Sequence, residues 1–309
     1  MLHYRPLGKT GAQVSEIAMG CNRLGEAAMP DSHWIELVQR AVELGVTLFD
    51  TSESYGWGRS EEILGQALGN RDDVLVASKV SRMRETNAKD FSAARIIQQV
   101  EGSLRRLRRE RIDLYQLHSP SLADLQRFDW PEAMSRLRDQ GKIRFIGVSI
   151  NDAASGHWLI EQGLVQVLQV GYNLLEHQVG DALFPQAQAA GIGILVRVPM
   201  AQGILTGKFR PGEPVAEGHR AHLAGAKMEE LIAAAENYRA LAAHSNQPLG
   251  QFALRYAISP PAVSAAIPGA RTVEQLAQNV AASNGAGLSP AELAAVAAVQ
   301  TRLDAVAAR

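Results

Sequence analysis

Four polar residues, each at or just past the end of an apolar segment, carry the chemistry that this sequence suggests. Asp50 and Tyr55 lie in VTLFDTSESYG, Lys79 lies in VLVASKV, and His118 lies in IDLYQLH. If these segments are successive parallel strands, a carboxylate, a phenol, an ammonium and an imidazole converge at their carboxyl ends. Such a group of side chains can deliver a proton to a carbonyl oxygen. We therefore expect the chain to be a reductase.

Each of these residues also has an ordinary structural interpretation. Taken alone, Asp50 is more typical of a cap or a turn, Tyr55 beside a glycine could anchor a loop, and His118 could be a hydrogen-bonded core residue. Lys79 is harder to explain structurally, because an ammonium at the end of a buried strand needs a carboxylate partner, which Asp50 can supply. Their joint occurrence at successive strand ends favours catalysis.

The elements that must position these residues repeat one pattern, a helix-period stretch, then a glycine, then a β-branched run. Gly45 and Gly191 are two such glycines, and a glycine is the usual residue just past a helix end. The runs, for example VLVAS and GILVRV, are almost continuously apolar, as in parallel strands buried on both faces. Ser60, followed by Glu61 and Glu62, is predicted to be the N-cap of a helix.

The pattern predicts eight strands that alternate with helices. The strands are predicted near residues 17–21, 46–50, 74–79, 112–118, 143–149, 165–170, 193–198 and 263–267. The helices are predicted at about 32–44, 60–68, 92–109, 131–140, 152–162, 181–190, 229–259 with a break near Pro248, and 272–282. Eight alternating units favour an α/β fold of the (β/α)8 TIM barrel type over an open doubly wound sheet.

No stretch resembles a linker between domains, so residues 1–309 are predicted to form a single domain. The stretch after the seventh strand, from Pro199 to Ala226, is too long for an ordinary connection and is predicted to be a functional loop. The alanine-rich segment from Ala291 to Ala307 is predicted to be an extra C-terminal helix outside the barrel.

Composition and charge exclude several classes of protein. With 31 Lys and Arg against 32 Asp and Glu, a nucleic-acid or membrane partner is not expected, and the arginine-rich run at 105–111 is better explained as a solvated helix face. The single cysteine, Cys21, excludes an internal disulfide and a thiolate metal cluster, and no other metal site is expected. The N-terminus has no apolar signal core, so we predict a cytoplasmic protein. The pattern carries no signal for an oligomeric state.

No G-x-G-x-x-G motif accompanies the expected reductase chemistry. Gly56-Trp57-Gly58 continues into Arg59, Ser60 and Glu61 without the third glycine. A dinucleotide must therefore be held by another architecture, at the carboxyl-end face of the barrel.

The motifs resemble those of the aldo-keto reductase family over nearly the whole chain, most closely its bacterial and potassium-channel β-subunit-like branch. LFDTSESYGWGRSEEILG (48–65) is similar to the family's first signature, which is highly specific. The segments VLVASKV, IDLYQLHSP, RFIGVS, LQVGYNLL (168–175), VPMAQGILTGKF (198–209) and IPGARTVEQLAQN (267–279) are similar to the others. The resemblance implies an NADP-dependent barrel enzyme that acts on a small-molecule carbonyl substrate.

The resemblance also implies a role for each matched residue. Tyr55 is expected to be the general acid and Lys79 to lower its pKa. Asp50 is expected to pair with Lys79, and His118 to orient the carbonyl. The expected cofactor-binding residues, from the nicotinamide to the adenosine end, are Ser149, Gln169, Arg197, Pro199, Gly203, Leu205, Lys208, Gly269, Arg271, Gln275 and Asn279, with Arg271 near the 2′-phosphate.

Two positions depart from the family pattern. Ile150 follows Ser149 where the family has Asn, and Asn151 comes one residue later, where an extended chain turns it to the opposite side. Arg197 stands where the family often has an aromatic residue, and a guanidinium plane can also stack on a ring. Its charge beside an oxidised nicotinamide would favour the reduced cofactor.

These features predict an NADPH-dependent reductase of aldehydes or ketones. The alternatives are an NAD(P)-dependent sugar or pyridoxal dehydrogenase on the same fold, and a regulatory subunit that binds nucleotide with little turnover. The expected pocket walls are Asn22, Arg23, Trp57 and Met83 with the loop after strand seven. Arginines 23, 82, 84 and 197 would make the entrance positive, unless some of them pair with glutamates 26, 53 or 85.

Overall fold

The computed structural model describes residues 2–212 and 226–307, and these residues form a closed barrel of parallel strands. A hairpin of β1 (Tyr4–Pro6) and β2 (Gln13–Ser15) precedes it. The barrel strands are β3 (Met19–Gly20), β4 (Leu48–Asp50), β5 (Leu75–Val80), β6 (Ile112–His118), β7 (Ile143–Ile150), β8 (Val167–Gly171), β9 (Gly193–Arg197) and β10 (Val263–Ile267). Each of these strands pairs in parallel with the next one along the chain.

The ring closes between the first and the last of these strands. The amide of Ala18 donates to the carbonyl of Ala266 at 2.8 Å, and the amide of Gly20 donates to that of Pro268 at 3.0 Å. Parallel bridges join Ile17 to Ala266 and Gly20 to Gly269. The predicted single-domain (β/α)8 barrel is therefore confirmed.

The helices lie around this barrel, and their described bounds follow the predicted order. They are α1 (Asp31–Glu43), α2 (Arg59–Leu68), α3 (Ala93–Leu107), α4 (Leu122–Arg127), α5 (Trp130–Asp139), α6 (Ala153–Glu161), α7 (Gln178–Ala190), α8 (Ala226–His244), α9 (Leu249–Ile258), α10 (Val273–Val280) and α11 (Pro290–Ala307). The predicted break near Pro248 is present, because Pro248 is the extended N-cap of α9. The extra C-terminal helix is α11.

The predicted loop after the seventh strand of the barrel, which is β9, is only partly described. Residues Ala201–Thr206 form a short 3-10 helix, and 213–225 lie outside the described residues. The short helix α4 was not predicted, although Ser121 and Asp124 form a reciprocal capping box at its start. None of the helices among the described residues could span a lipid bilayer.

Two apolar layers hold the barrel together. Side chains such as Leu48, Leu114 and Leu195 point into the barrel, where Leu7 and Val14 of the hairpin join them. A larger cluster fills the space between strands and helices. Apolar side chains are thus buried on both faces of the strands, which explains why their sequences are continuously apolar.

The predicted N-cap at Ser60 is wrong. Helix α2 begins at Arg59, with Gly58 in the left-handed region as its N-cap. The buried hydroxyl of Ser60 donates to the carbonyl of Cys21 at 2.7 Å and lies 2.8 Å from the hydroxyl of Thr51. The hydroxyl of Ser60 is therefore engaged in tertiary contacts with the segments after β3 and β4 and does not cap α2.

The arginine-rich run on α3 is only partly a solvated face. Arg105 and Arg108 are exposed, as predicted. The Nε of Arg106 lies 2.7 Å from the fully buried carboxylate of Glu61, and Arg109 pairs with Asp113 at 3.3 Å. Arg106 therefore attaches α3 to α2, and Arg109, just past the end of α3, attaches the following turn to β6.

Candidate active site

Strand register brings the polar residues of the central strands to one end of the barrel. Asp50 is the last residue of β4, and its strand neighbour is Ala77, two residues before Lys79. His118 is the last residue of β6 and pairs in register with Ser149, which in turn pairs with Gln169. All five side chains therefore belong to the carboxyl-end face, where barrel loops gather.

Lys79 is buried completely and is neutralised by Asp50. Its Nζ donates to Oδ2 of Asp50 at 2.7 Å and to the carbonyl of Thr51 at 2.8 Å. The other carboxylate oxygen, Oδ1, accepts from the amide of Gln169 at 2.8 Å and from that of Gln116 at 3.3 Å. A buried ion pair is tolerated only when its remaining hydrogen-bonding groups are satisfied, as they are for this carboxylate.

Tyr55 stands beside this pair on the turn that follows β4. It opens the short 3-10 segment Tyr55–Gly58, and its amide donates to the carbonyl of Ser52 at 3.0 Å. The Nζ of Lys79 lies 5.1 Å from the centre of the Tyr55 ring, and the His118 ring meets it edge-on at 5.8 Å. The ring is half-buried, so the phenol has an ammonium and an imidazole as neighbours.

Burial raises the pKa of the Tyr55 phenol above its usual value, while the charge of Lys79 lowers it and that of Asp50 raises it. Burial alone would lower the pKa of Lys79, but the attraction of Asp50 and of Tyr55 raises it above its usual value. At neutral pH the phenol therefore carries its proton and the amine its charge. Lys79 does lower the pKa of Tyr55, as predicted, but burial raises it by more, so the net pKa stays above its usual value.

His118 is a neutral imidazole at physiological pH. Burial, helped by the charges of Lys79 and Arg197, lowers its pKa to about 3. Its Nδ1 lies 3.3 Å from the hydroxyl of Ser52, which is fully buried. A neutral ring with one nitrogen engaged by a hydroxyl can present an N–H donor at the other nitrogen.

Three residues of this network were not anticipated from the sequence: Thr51, Ser52 and Gln116. Thr51 contributes a carbonyl to Lys79, Ser52 contacts His118, and Gln116 contacts Asp50. The polar side chains of Ser52, just past β4, and Gln116, within the otherwise apolar β6, were a usable signal, whereas Thr51 acts through its backbone carbonyl. Their partners could not be deduced, because these depend on strand register.

The hydroxyl of Ser149 is a buried hydrogen-bonding group of the site that no described residue engages. The side chain of Ser149 is fully buried at the end of β7, and its hydroxyl has no partner among the described residues. The carbonyl oxygen of Gln116 is also buried without a described partner. Because buried polar groups in native proteins are nearly always satisfied, a polar ligand group such as a carboxamide fits here.

Comparisons with known proteins agree with this geometry. A model of the Aldo/keto reductase family matches residues 16–301, a range that includes all the residues of the candidate site. The chain belongs to this family. It is 31% identical over 290 residues to Aldo-keto reductase YhdN of Bacillus subtilis (strain 168), covering 89% of this chain and 87% of the relative.

Two other family relatives are informative. The holo form of aldo-keto reductase AKR11C1 from Bacillus halodurans superimposes with a TM-score of 0.83 at 28% identity, covering 97% of this chain and 96% of that one. The chain is also 29% identical to a probable voltage-gated potassium channel subunit beta of Oryza sativa subsp. japonica, covering 91% of each. The bacterial and channel-subunit-like branch identified from the motifs is thus confirmed.

The two departures from the aldo-keto reductase pattern contact each other. Nη2 of Arg197 donates to Oδ1 of Asn151 at 2.8 Å and to the carbonyl of Ile150 at 3.2 Å. Asn151 therefore helps to fix the guanidinium of Arg197. Burial lowers the pKa of Arg197, which has no carboxylate within ion-pair distance among the described residues.

The expected pyrophosphate segment, from Pro199 to Lys208, is an irregular turn. Ala201, Gln202 and Gly203 adopt φ values of 45°, 55° and 96°, so the backbone is left-handed there. The amides of Gly203 and Leu205 both donate to the carbonyl of Met200, at 2.8 and 3.2 Å. These two amides are already engaged within the turn. The ammonium of Lys208 lies 4.8 Å from the ring of Phe209.

The expected adenosine segment is held together by its own side chains. The amide of Arg271 donates to Oε1 of Gln275 at 2.9 Å, and Nδ2 of Asn279 donates to the carbonyl of Gly269 at 3.2 Å. The guanidinium of Arg271 is half-exposed, and its Nη2 lies 3.1 Å from a carboxylate oxygen of Glu26. The sequence predicts Glu26 as a possible partner of the entrance arginines but not of Arg271, and the structure adds this second pairing.

The entrance arginines divide into two groups. Arg23 is paired with Glu26. Arg84 lies over the exposed ring of Trp57 at 5.8 Å, and the described residues give neither Arg82 nor Arg84 an ion pair.

In the described part of the chain, no group of three or more histidine, cysteine or acidic side chains is arranged to hold a metal ion.

Proposed function

We propose that the protein is an NADPH-dependent oxidoreductase that reduces aldehydes or ketones to alcohols, with Tyr55 as the general acid. The observation that carries the proposal is the protonated phenol of Tyr55 beside the buried Lys79–Asp50 pair, with the neutral His118 facing its ring. Nicotinamide dinucleotide, when bound, supplies the hydride that the carbonyl carbon receives.

Tyr55 is proposed to donate its proton to the carbonyl oxygen as negative charge develops there. A phenolate then remains, and the ammonium of Lys79, 5.1 Å from the ring centre, stabilises it. Asp50 keeps this ammonium charged and fixed in the barrel interior through the contact of 2.7 Å. The carboxylate thus acts through Lys79 and not on the substrate.

His118 is proposed to position the carbonyl oxygen. Its pKa of about 3 means that it acts as a neutral N–H donor and does not compete with Tyr55 as the acid. The contact of Nδ1 with Ser52 at 3.3 Å restrains the ring. A prepositioned donor stabilises developing charge without reorganisation during the reaction.

The cofactor is proposed to lie along the ends of β7 to β10. The unpartnered hydroxyl of Ser149 supports a contact with the nicotinamide carboxamide, with Gln169 beside it in register. The remaining proposed contacts are Arg197, Pro199, Gly203, Leu205, Lys208, Gly269, Arg271, Gln275 and Asn279. The half-exposed guanidinium of Arg271 supports a contact with the 2′-phosphate and hence the NADPH preference.

An NADPH-oxidation screen over small aldehydes, keto sugars and aromatic carbonyls tests this proposal. Each compound is paired with its alcohol and NADP⁺ or NAD⁺ in the reverse direction. NADPH-dependent reduction of at least one class supports the proposal. Turnover only with a sugar or pyridoxal alcohol and NAD⁺ would instead favour the dehydrogenase alternative.

A second candidate is a nucleotide-binding regulatory subunit with little turnover, which the name of the rice relative favours. The shifted pKa values of Tyr55 and His118 beside the buried Lys79–Asp50 pair favour turnover, because groups perturbed in this way cluster at catalytic sites. Tight NADPH binding without oxidation by any carbonyl in the screen would support the regulatory role and overturn the reductase proposal.

A further inference from the structure

Glu26 connects two loops that the sequence alone does not bring together. Its carboxylate accepts from Arg23 through one oxygen, and through the other it lies 3.1 Å from Nη2 of Arg271. Arg23 and Glu26 belong to the loop after β3, whereas Arg271 follows β10. One carboxylate therefore bridges two guanidinium groups across the seam where the barrel closes.

The backbone of Glu26 is anchored to the core. The indole Nε1 of Trp34, which is fully buried in α1, donates to the carbonyl of Glu26 at 3.2 Å. The ring of His33 also lies 2.7 Å from the carbonyl of Arg271. These contacts hold the carboxylate close to Arg271, so the ion pair does not depend on two freely moving side chains.

We propose that Glu26 determines cofactor specificity by lowering the preference for NADPH over NADH. The inference rests on the proposed function, in which Arg271 receives the 2′-phosphate. Glu26 is then a carboxylate already bound to the group that the phosphate needs. Arg271 favours the phosphorylated cofactor, and Glu26 opposes it.

The charges explain the direction of the effect. A 2′-phosphate must displace Glu26 from Arg271 or lie beside it, and like charges within a few ångströms repel. Arg23 keeps the displaced carboxylate neutralised, so the repulsion weakens NADPH binding without abolishing it. NADH has a 2′-hydroxyl at this position, which can donate a hydrogen bond to a carboxylate.

Fluorescence titration of wild type and Glu26→Gln with NADPH and NADH tests the proposal. Glutamine keeps the size of the side chain and removes its charge. We expect the Kd for NADPH to fall by about fivefold to tenfold, as screened repulsion at this range implies, while the Kd for NADH stays equal or rises. The difference between the two proteins should shrink as salt is added, because the carboxylate is partly exposed.

Glu43→Gln is the matched control. It removes the charge of another glutamate that is paired with an arginine, since Glu43, at the end of α1, pairs with Arg40. It should leave the ratio of the two Kd values unchanged. In an Arg271→Ala background the phosphate and Glu26 no longer compete for a guanidinium and only their direct repulsion remains, so Glu26→Gln should give a smaller gain in NADPH affinity. An undiminished gain there would overturn the assignment of the effect to Arg271.

Failure of this inference is distinguishable from failure of the proposed function. If wild type binds both nucleotides and Glu26→Gln leaves the ratio of Kd values unchanged, or shifts both values equally, only the inference is overturned. If wild type binds neither nucleotide, both the proposed function and the inference are overturned.

Discussion

Tyr55 differs from phenylalanine by one hydroxyl, and the proposed mechanism assigns the proton transfer to that hydroxyl. Tyr55→Phe should fold and bind NADPH, because the ring contacts with Lys79 and His118 remain. Its kcat should fall by about 10²–10⁴-fold, the usual contribution of general acid catalysis. Steady-state kinetics on a good aldehyde, with cofactor titration as the control for binding, measures this. A variant with wild-type kcat would show that Tyr55 is not the acid.

His118 should make the folded state less stable in acid. Its folded pKa of about 3 lies below the ordinary value of 6.5, so between these values the unfolded chain takes up a proton that the folded chain refuses. Stability should therefore fall as pH drops from 6.5 towards 3, by at most about 1.4 kcal/mol per pH unit from this residue.

Urea denaturation at pH 7 and pH 5 measures this effect. His118→Gln should lose less stability between the two values than wild type does. His244→Gln, a substitution at an exposed histidine, controls for the loss of one imidazole. Equal pH dependence in wild type and His118→Gln would contradict the expectation.

At the scale of elements, the N-terminal hairpin closes the amino end of the barrel through Glu16. This fully buried carboxylate pairs with Arg5 at 2.6 Å and accepts from the hydroxyl of Ser283 and the amide of Gly285. Arg5 also donates to the carbonyl of Val263, at the start of β10. The network therefore attaches the hairpin to the end of the barrel opposite the candidate site.

Glu16→Ala should destabilise the fold by about 3–5 kcal/mol, because it leaves Arg5 without its partner in a mostly buried place. Turnover of the folded fraction should stay unchanged. Chemical denaturation and kcat measure the two quantities separately. The apolar double variant Arg5→Met/Glu16→Leu should cost less than Glu16→Ala. A larger cost for the double variant would contradict this account of the ion pair.

At the scale of the whole molecule, the entrance is predicted to attract anions although the net formal charge is −1. Arg23 shares the single carboxylate of Glu26 with Arg271, so these three groups keep a net charge of +1, and arginines 82, 84 and 197 have no ion pair among the described residues. The kcat/KM for 4-carboxybenzaldehyde should fall with added salt, whereas that for benzaldehyde should stay flat.

Two variants locate the source of this salt dependence. Arg84→Gln should reduce the slope for the anionic aldehyde. Arg144→Gln, at an exposed arginine near the start of β7, should leave it unchanged. Identical salt profiles for the two aldehydes in wild type would show that the entrance has no positive potential that matters.

The sequence by itself determined the barrel and the four central residues of the candidate site. Apolar periodicity and helix-end glycines are local signals, and parallel strands in a barrel all end at one face. A polar residue at the end of each such strand must therefore belong to that face. For Lys79, the cost of burying an unpaired charge also identified Asp50 as its partner, and the contact of 2.7 Å confirms it.

Tertiary structure alone decided which side chains meet across the loops. Gln169 contacts Asp50 across 119 positions, and Arg271 contacts Glu26 across 245. Asn151 proved to be a partner of Arg197, and Ser60 proved not to be a cap. No local propensity encodes such pairs, because they depend on strand register, on the closure of the barrel and on loop paths, all of which arise only when the whole chain folds.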